Sequence, residues 1–422
     1  MPATQPFIPF WQHSDPLASV PGASRNLQQR NCRARAVAAP PRHQTSRSHE
    51  VSTLNLRRVG AIAALAVFPA LTAQAETLEV RRIDNAIVMG LSANGRVAAG
   101  QLPGNWETFR WSLATGVVPL GRSTMDTLGH RSGTPGISDD GRIITATILS
   151  DDGTYSTAGR WSESGGWKMI SVRGPADMGF VDGENSSAWA LSGDGKVAAG
   201  LYWVGNDTWL AHAMRWTAAR GMVDLGSSGY SSRINAANRD GSVLVGWDEH
   251  PEYRNWRATV WVDGVRTTLE DSDWFTEATA VSADGRIVVG QTPDPANGNQ
   301  LTATMWKWNG TSWVKSYLGT MPKRPGAMAS SMPIGVSDDG SVVVGQNNPD
   351  AGKPTSDAFI WTPATGMMKT SDWLAANGVQ TAPGWTTYAS AAVTPDGQVI
   401  AVTQQQRFQP FATRSLIIRR QP

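Results

Sequence analysis

At 422 residues the chain is long enough to bury a large core without staples. Its one Cys, Cys32, excludes an internal disulfide or a thiolate metal site. The formal charge of +2 arises in residues 1–75, which hold eight Arg and two acids. The remainder has 29 basic against 33 acidic side chains, so it carries no basic footprint for nucleic acid or anionic lipid.

Residues 1–50 are rich in Pro, Arg, Gln and Ser and have no periodic apolar face, so disorder is expected there. Residues 51–75 read as a signal peptide. Arg57 and Arg58 precede an uncharged run that is apolar through Leu71 and ends Ala73-Gln74-Ala75, a small-x-small cleavage site. The run falls short of the roughly 20 apolar residues that a membrane span needs. Cleavage after Ala75 leaves a chain starting at Glu76, with no integral membrane segment. The proportions of residues 51–75 also place the natural start at Val51, with 1–50 an over-extension.

From Glu76 onward one pattern recurs seven times: a small residue, an apolar residue, a Ser, Thr or Asn, an Asp-Gly or Asn-Gly turn and a short apolar strand. The copies include GLSANGRVAAG, AVSADGRIVVG and AVTPDGQVIAV. The turn glycines are Gly95, Gly141, Gly195, Gly241, Gly285, Gly340 and Gly397, spaced 46, 54, 46, 44, 55 and 57 residues apart. A period near fifty built only from strand and turn signals implies a radial array of four-stranded sheets. The fold class expected is all-β: a seven-bladed β-propeller of antiparallel four-stranded blades spanning residues 76–422.

Within a copy, the position five before the glycine is always Gly or Ala, which suggests strands converging near an axis. The Ser, Thr or Asn three before it offers an oxygen to the turn backbone. Asp-Gly and Asn-Gly point to a tight hairpin in which both residues tolerate positive φ. Trp111, Trp161, Trp216, Trp261, Trp306 and Trp361 follow their glycines by 16 to 21 residues, and Ile418 takes that place in the seventh copy. They are expected to anchor a third strand between blades. A fourth strand follows another Gly-centred turn, but the seventh copy ends at Pro422 without room for one. Thr77–Ile83 (TLEVRRI) is predicted to supply it and close the ring, removing open sheet edges. Ser371–Gly378 (SDWLAANG) reads as a short helix, with a capping residue, helix formers and a terminal Gly.

The repeat, with an Arg-Trp-like strand and a Gly-x-x-x-Leu-Gly segment after it, resembles the HAF repeat of bacterial extracellular proteins. The likeness covers about residues 84–418 and includes the DWLAANGV linker. It implies an extracellular repeat protein and carries over no catalytic residues. The S-x-D-G turn, closest in TPDGQVIAV, also resembles the Tol-translocation propeller repeat, a binding module.

The sialidase Asp-box fails to match, because here Asp and Gly are adjacent. His130, His212 and His250 stand in different repeats without zinc spacing, and Asp139-Asp140-Gly141 and Asp151-Asp152-Gly153 lack an EF-hand loop. No phosphate loop, nucleophile elbow or triad spacing is present. No catalytic residue, metal or cofactor is therefore assigned. Asp182, Glu184, Asp248 and Glu249 are loop acids that a propeller can gather at a channel mouth. The candidate binding residues are loop aromatics outside the anchor set: Trp106, Tyr155, Trp203, Trp209, Trp247, Tyr253 and Trp256. They lie among Asn, Asp and Gly in blades one to four and suit sugar faces or protein partners. The expectation is an exported monomer that binds an unknown protein or glycan. Its rival is a propeller hydrolase or lyase acting on extracellular polysaccharide.

Overall fold

The computed structural model describes residues 76–123, 133–172, 174–322, 329–349, 356–407 and 409–421. The signal-peptide reading, the start at Val51, Cys32 and His130 lie outside the described residues. Among the described residues there are seven four-stranded antiparallel sheets. Blade 1 runs Ile87–Ser123, blade 2 Gly136–Met169, blade 3 Ser186–Gly226, blade 4 Ser232–Thr268, blade 5 Glu277–Gly319 and blade 6 Ser330–Lys369. Each adds its strands in chain order, so the first is innermost and the fourth outermost. The first strands of successive blades pack against one another, and that of blade 7 (Trp385–Val393) packs against that of blade 1 (Ile87–Leu91), which closes the ring.

Blade 7 takes its outermost strand from the other end of the chain. Thr77–Asp84 pairs antiparallel with Gln409–Gln421, in register from Thr77 opposite Gln421 to Asp84 opposite Arg414. Glu76 extends the closure with a two-pronged ion pair to Arg420, at 2.6 Å from Nε and from Nη2. The ring closes as the repeat count requires.

The hydroxyl and acid of each repeat build the turn. In blade 2, Ser138 Oγ donates to Asp140 Oδ1 (2.7 Å), and Ile143 N–H and Arg142 N–H donate to Ser138 Oγ and Asp140 Oδ1. Gly141 N–H donates to Ser138 O, and only the glycine takes a positive φ, of 71°. The turn is therefore not one with two left-handed residues. The acid is used as a hydrogen-bond acceptor and the glycine for its conformation. Asn238 replaces Ser in blade 4. Its Oδ1 accepts Val243 N–H (3.0 Å), and the missing donor to Asp240 Oδ1 comes from Ser242 Oγ (2.6 Å).

The same glycines seat one blade on the next. A Cβ on Gly141 would lie 2.7 Å from Val97 Cβ, and one on Gly241 2.4 Å from Val197 Cγ2; each valine opens the second strand of the preceding blade. Small residues five positions earlier do the same nearer the axis: a Cβ on Gly136 would lie 2.9 Å from Cβ of Leu191 in blade 3. The aromatic anchors fill the layer farther out. Trp261 is fully buried among Ala190, Val197 and Ala199 of blade 3 and Leu244 of blade 4, and Trp306 packs in the same way between blades 4 and 5. Truncating Trp261 to Ala is expected to cost about 3–5 kcal/mol.

At the turn face the residues two before each glycine link round the axis. Ala93 N–H donates to Asp139 O, Asp139 N–H to Gly193 O (2.7 Å), Arg239 N–H to Ala283 O, Ala283 N–H to Asp338 Oδ1 and Asp338 N–H to Pro395 O. Pro395 has no N–H, so the step from blade 7 to blade 1 lacks that donor. Arg419 Nη2 bonds Asn94 O (2.8 Å) there instead. Arg239 Nε also reaches Asp139 Oδ2 at 2.9 Å. Blades 4 and 2 are not neighbours, so this ion pair passes over blade 3, where a Cβ on Gly193 would lie 2.7 Å from the Asp139 carboxylate.

The helix forms at Thr370–Ala376 and buries Trp373 and Leu374 between blades 6 and 7. It starts one residue before the expected capping Ser371 and has no side-chain cap. Gly378 ends it at φ 80°.

Candidate functional site

The opposite face is built from the starts of the first strands, the ends of the second and the loops between. There the strands of blades 3, 4 and 5 bring charge and aromatics together. Arg233, second residue of the first strand of blade 4 (Ser232–Ala237), is 4% exposed. Its guanidinium lies 3.8 Å from the ring centre of Trp189, 5.3 Å from Trp247 and 5.8 Å from Trp256. Trp189 and Asn235 are bulge residues of their strands, each standing at a break in register. A bulge re-aims its side chain. Asn235 Oδ1 accepts Arg233 Nε (2.9 Å), while its Nδ2 donates to Glu277 Oε2 (3.1 Å) and Ala278 O.

Glu277 opens the first strand of blade 5 and lies 3.5 Å from Arg233 Nη2. Burial pushes its carboxyl up against the pull of Arg233, and the same burial draws Arg233 down to about 10. Arg233 and Glu277 both stand eight residues before their turn glycines, where other copies carry Ile87, Ser187, Met332 and Ala389. Two opposite charges at one repeat position in adjacent blades were the sequence signal for this pair.

Trp247 and Trp256 stack face to face, 4.5 Å apart at 8°. Glu249 sits opposite Trp256 in the sheet and accepts Ser231 N–H at 3.0 Å. Burial is the main cause that raises its carboxyl to about 7, with Arg254 opposing. Glu184 accepts Trp203 Nε1 (2.9 Å), and its charge also acts on Arg233. Trp209 meets Trp203 edge-on at 6.2 Å. Asp248 is spent on structure: Ser227, Ser228, Arg257 and Arg266 surround it.

Two of the seven candidate aromatics, Trp247 and Trp256, thus stand in the Arg233 cluster, while Trp203 and Trp209 form a second pair tied to Glu184. Trp247 is buried within the cluster rather than exposed. Phe275, 53% exposed, sets its edge on Trp256 at 5.7 Å beside the exposed Trp274 and extends the cluster to the surface. Tyr253 is exposed and stacks on His250, and Tyr155 pairs with Phe180. Trp106 is buried in blade 1, apart from the cluster. Trp203, Trp247 and Trp256, expected in loops, stand instead in the strands Val197–Trp203, Val243–Glu249 and Trp256–Val262, as Trp189 and Arg233 do in theirs. Among the described residues no group of three or more His, Cys, Asp or Glu is placed to hold a metal, and no helix is long and apolar enough to cross a membrane.

The architecture is that of a seven-bladed β-propeller with an aromatic, charged loop face. No family model matches the chain, and no curated protein matches it. Solved structures do. The β-propeller domain of the Trilobed protease from Pyrococcus furiosus, described as having an open velcro topology, is 11% identical with a TM-score of 0.50, over 80% of this chain and 93% of that one. TolB from Acinetobacter baumannii is 11% identical with a TM-score of 0.41, over 80% of this chain and 65% of that one. At such identities the likeness shows the fold alone.

Proposed function

We propose that this protein is an exported binding module whose partner, a protein or a glycan, docks on the loop face over blades 3 to 5. The observation that carries this reading is Arg233, held between Trp189 and the Trp247–Trp256 stack, with Phe275 and Trp274 exposed above. Aromatic faces bind the apolar sides of sugars or anchor protein partners, while amides and acids at their rim set orientation. At the other face the turns of neighbouring blades are tied to one another by hydrogen bonds, while the loop face carries the exposed aromatics. The HAF-like repeats and the signal-like segment 51–75 support export.

A hydrolase or lyase is the second reading, and a specific observation favours it. Glu249 and Glu277, from adjacent blades of this face, both have raised carboxyls, the property a general acid needs. A glycan array with product analysis separates the two. Binding without turnover, weakened at least tenfold by Trp256→Ala, supports the module. Turnover abolished by Glu249→Gln replaces it with the enzyme. Absence of both sends the search to protein partners.

A further inference from the structure

Where blade 4 meets blade 5, the loop face presents aromatic rings that the chain leaves uncovered. Tyr253 is 64% and Trp274 41% exposed, with Phe275 beside them. Two loops fix these rings. His250 Nδ1 accepts the N–H groups of Glu252 (3.1 Å) and Tyr253 (3.3 Å), and the imidazole stacks on the Tyr253 ring at 4.6 Å. Buried Asn255 ties this turn to the next loop by donating to Ser272 O and Trp274 O. The rings are thus set in advance, so a partner pays little to order them. Exposed aromatics grouped in this way mark an interaction surface.

The charge around them is negative. The loop from Leu269 to Thr276 holds Glu270, Asp271 and Asp273 and no Lys or Arg. Glu270 pairs with Lys315 at 2.7 Å, and Asp271 lies 3.7 Å from Arg257. Asp273 and Glu252 have no ion pair among the described residues. Both act on Tyr253: the charge of Glu252 first, and that of Asp273 least, raise its phenol. Elsewhere on this face the chain supplies its own cation to a ring. The Arg254 guanidinium lies 3.5 Å from the ring centre of Tyr230, as Arg233 lies over Trp189. Among the described residues no cation of the chain lies over Tyr253, Trp274 or Phe275.

We infer that the Tyr253–Trp274–Phe275 patch docks a Lys- or Arg-bearing segment of a partner protein. The inference rests on the loop-face reading and names the partner's chemistry. A cationic head laid on these rings gains cation–π attraction, and Glu252 and Asp273 supply the counter-charge. A surface ion pair alone is worth little, so selectivity comes from ring and carboxylate acting on one head group. A neutral sugar would use the rings and leave both acids unanswered, and an acidic sugar would be repelled.

The test uses the purified protein and a short Gly-Ser peptide bearing several Arg, with its citrulline counterpart as the neutral control. Binding is followed by calorimetry and tryptophan fluorescence. The Arg peptide is expected to bind, more weakly as salt rises, and the citrulline peptide about tenfold less tightly. Trp274→Ala should cost about tenfold. Glu252→Gln combined with Asp273→Asn should weaken binding several-fold at an unchanged melting temperature, which keeps the test informative if Trp274→Ala misfolds. Glu163→Gln combined with Asp263→Asn removes the same charge from hairpins on the turn face and should change nothing. No binding of the Arg peptide, equal binding of the citrulline peptide, or equal losses from the two charge pairs would overturn the inference. A glycan bound in a Trp256-dependent manner by a protein that ignores the Arg peptide would overturn it alone and leave the loop-face reading standing.

Discussion

Gly95 of blade 1 rests on Val399 of blade 7: a Cβ added to the glycine would lie 2.6 Å from Val399 Cγ2. This contact joins the two ends of the repeat array, and the other six turn glycines repeat it between sequential neighbours.

Gly95→Ala therefore combines a left-handed φ of 63° with overlap at the seam. A loss of about 2–4 kcal/mol is expected. Gly116, at φ 65° with nothing within 4 Å of its added Cβ, is the control. Gly116→Ala should cost only about 1–2 kcal/mol. Urea unfolding of both variants checks this, and equal losses would remove the packing role of the turn glycine.

Removing residues 76–84 takes away the outermost strand of blade 7 together with the Glu76–Arg420 pair. The edge of Gln409–Gln421 would then be bare, with Leu78 and Val80 gone from the cluster that holds Ile400 and Ile418. A fall in melting temperature of more than about 10 °C and a gain in self-association are expected. An unchanged melting curve would count against closure by this strand.

In blade 4 the turn depends on a swap between two residues. Ser242→Ala removes the donor to Asp240 and should cost about 1 kcal/mol. Asn238→Ser in the same chain restores the arrangement of the other blades and should recover most of that loss. A double-mutant cycle with additive effects would show that the two positions are not coupled.

Glu249 makes stability depend on pH. Its folded carboxyl titrates at about 7 against an ordinary 4.5, so the folded state holds a proton that the unfolded chain has released. The contribution is complete below about pH 4.5 and is lost as pH rises to 7. Glu277, raised by the same cause, acts in the same direction. Denaturant melts at pH 4.5, 6 and 8 should show Glu249→Gln gaining on the wild type as pH rises. Parallel profiles for the two proteins would place the titration elsewhere.

Much of this was legible before any coordinates. The seven Asp-Gly or Asn-Gly turns set the blade count, and the Trp steps of 16 to 21 residues located the packing strand. The short seventh copy implied that Thr77–Ile83 completes it. Trp203, Trp209, Trp247 and Trp256 were chosen because aromatics in polar loops stand out. Arg233 and Glu277 did not, since a charge within a strand of alternating residues reads as solvent-facing. Their burial depends on which way the bulged first strands turn.

Local order followed from the sequence alone because each turn is made by residues within five positions of one another, where Ser, Asp and Gly act on their own backbone. Tertiary structure decided what the seven units surround. The Arg239–Asp139 ion pair draws on blades 4 and 2, and the Arg233 cluster on blades 3, 4 and 5, whose residues lie tens of positions apart. Only the packing of the blades makes such groups neighbours.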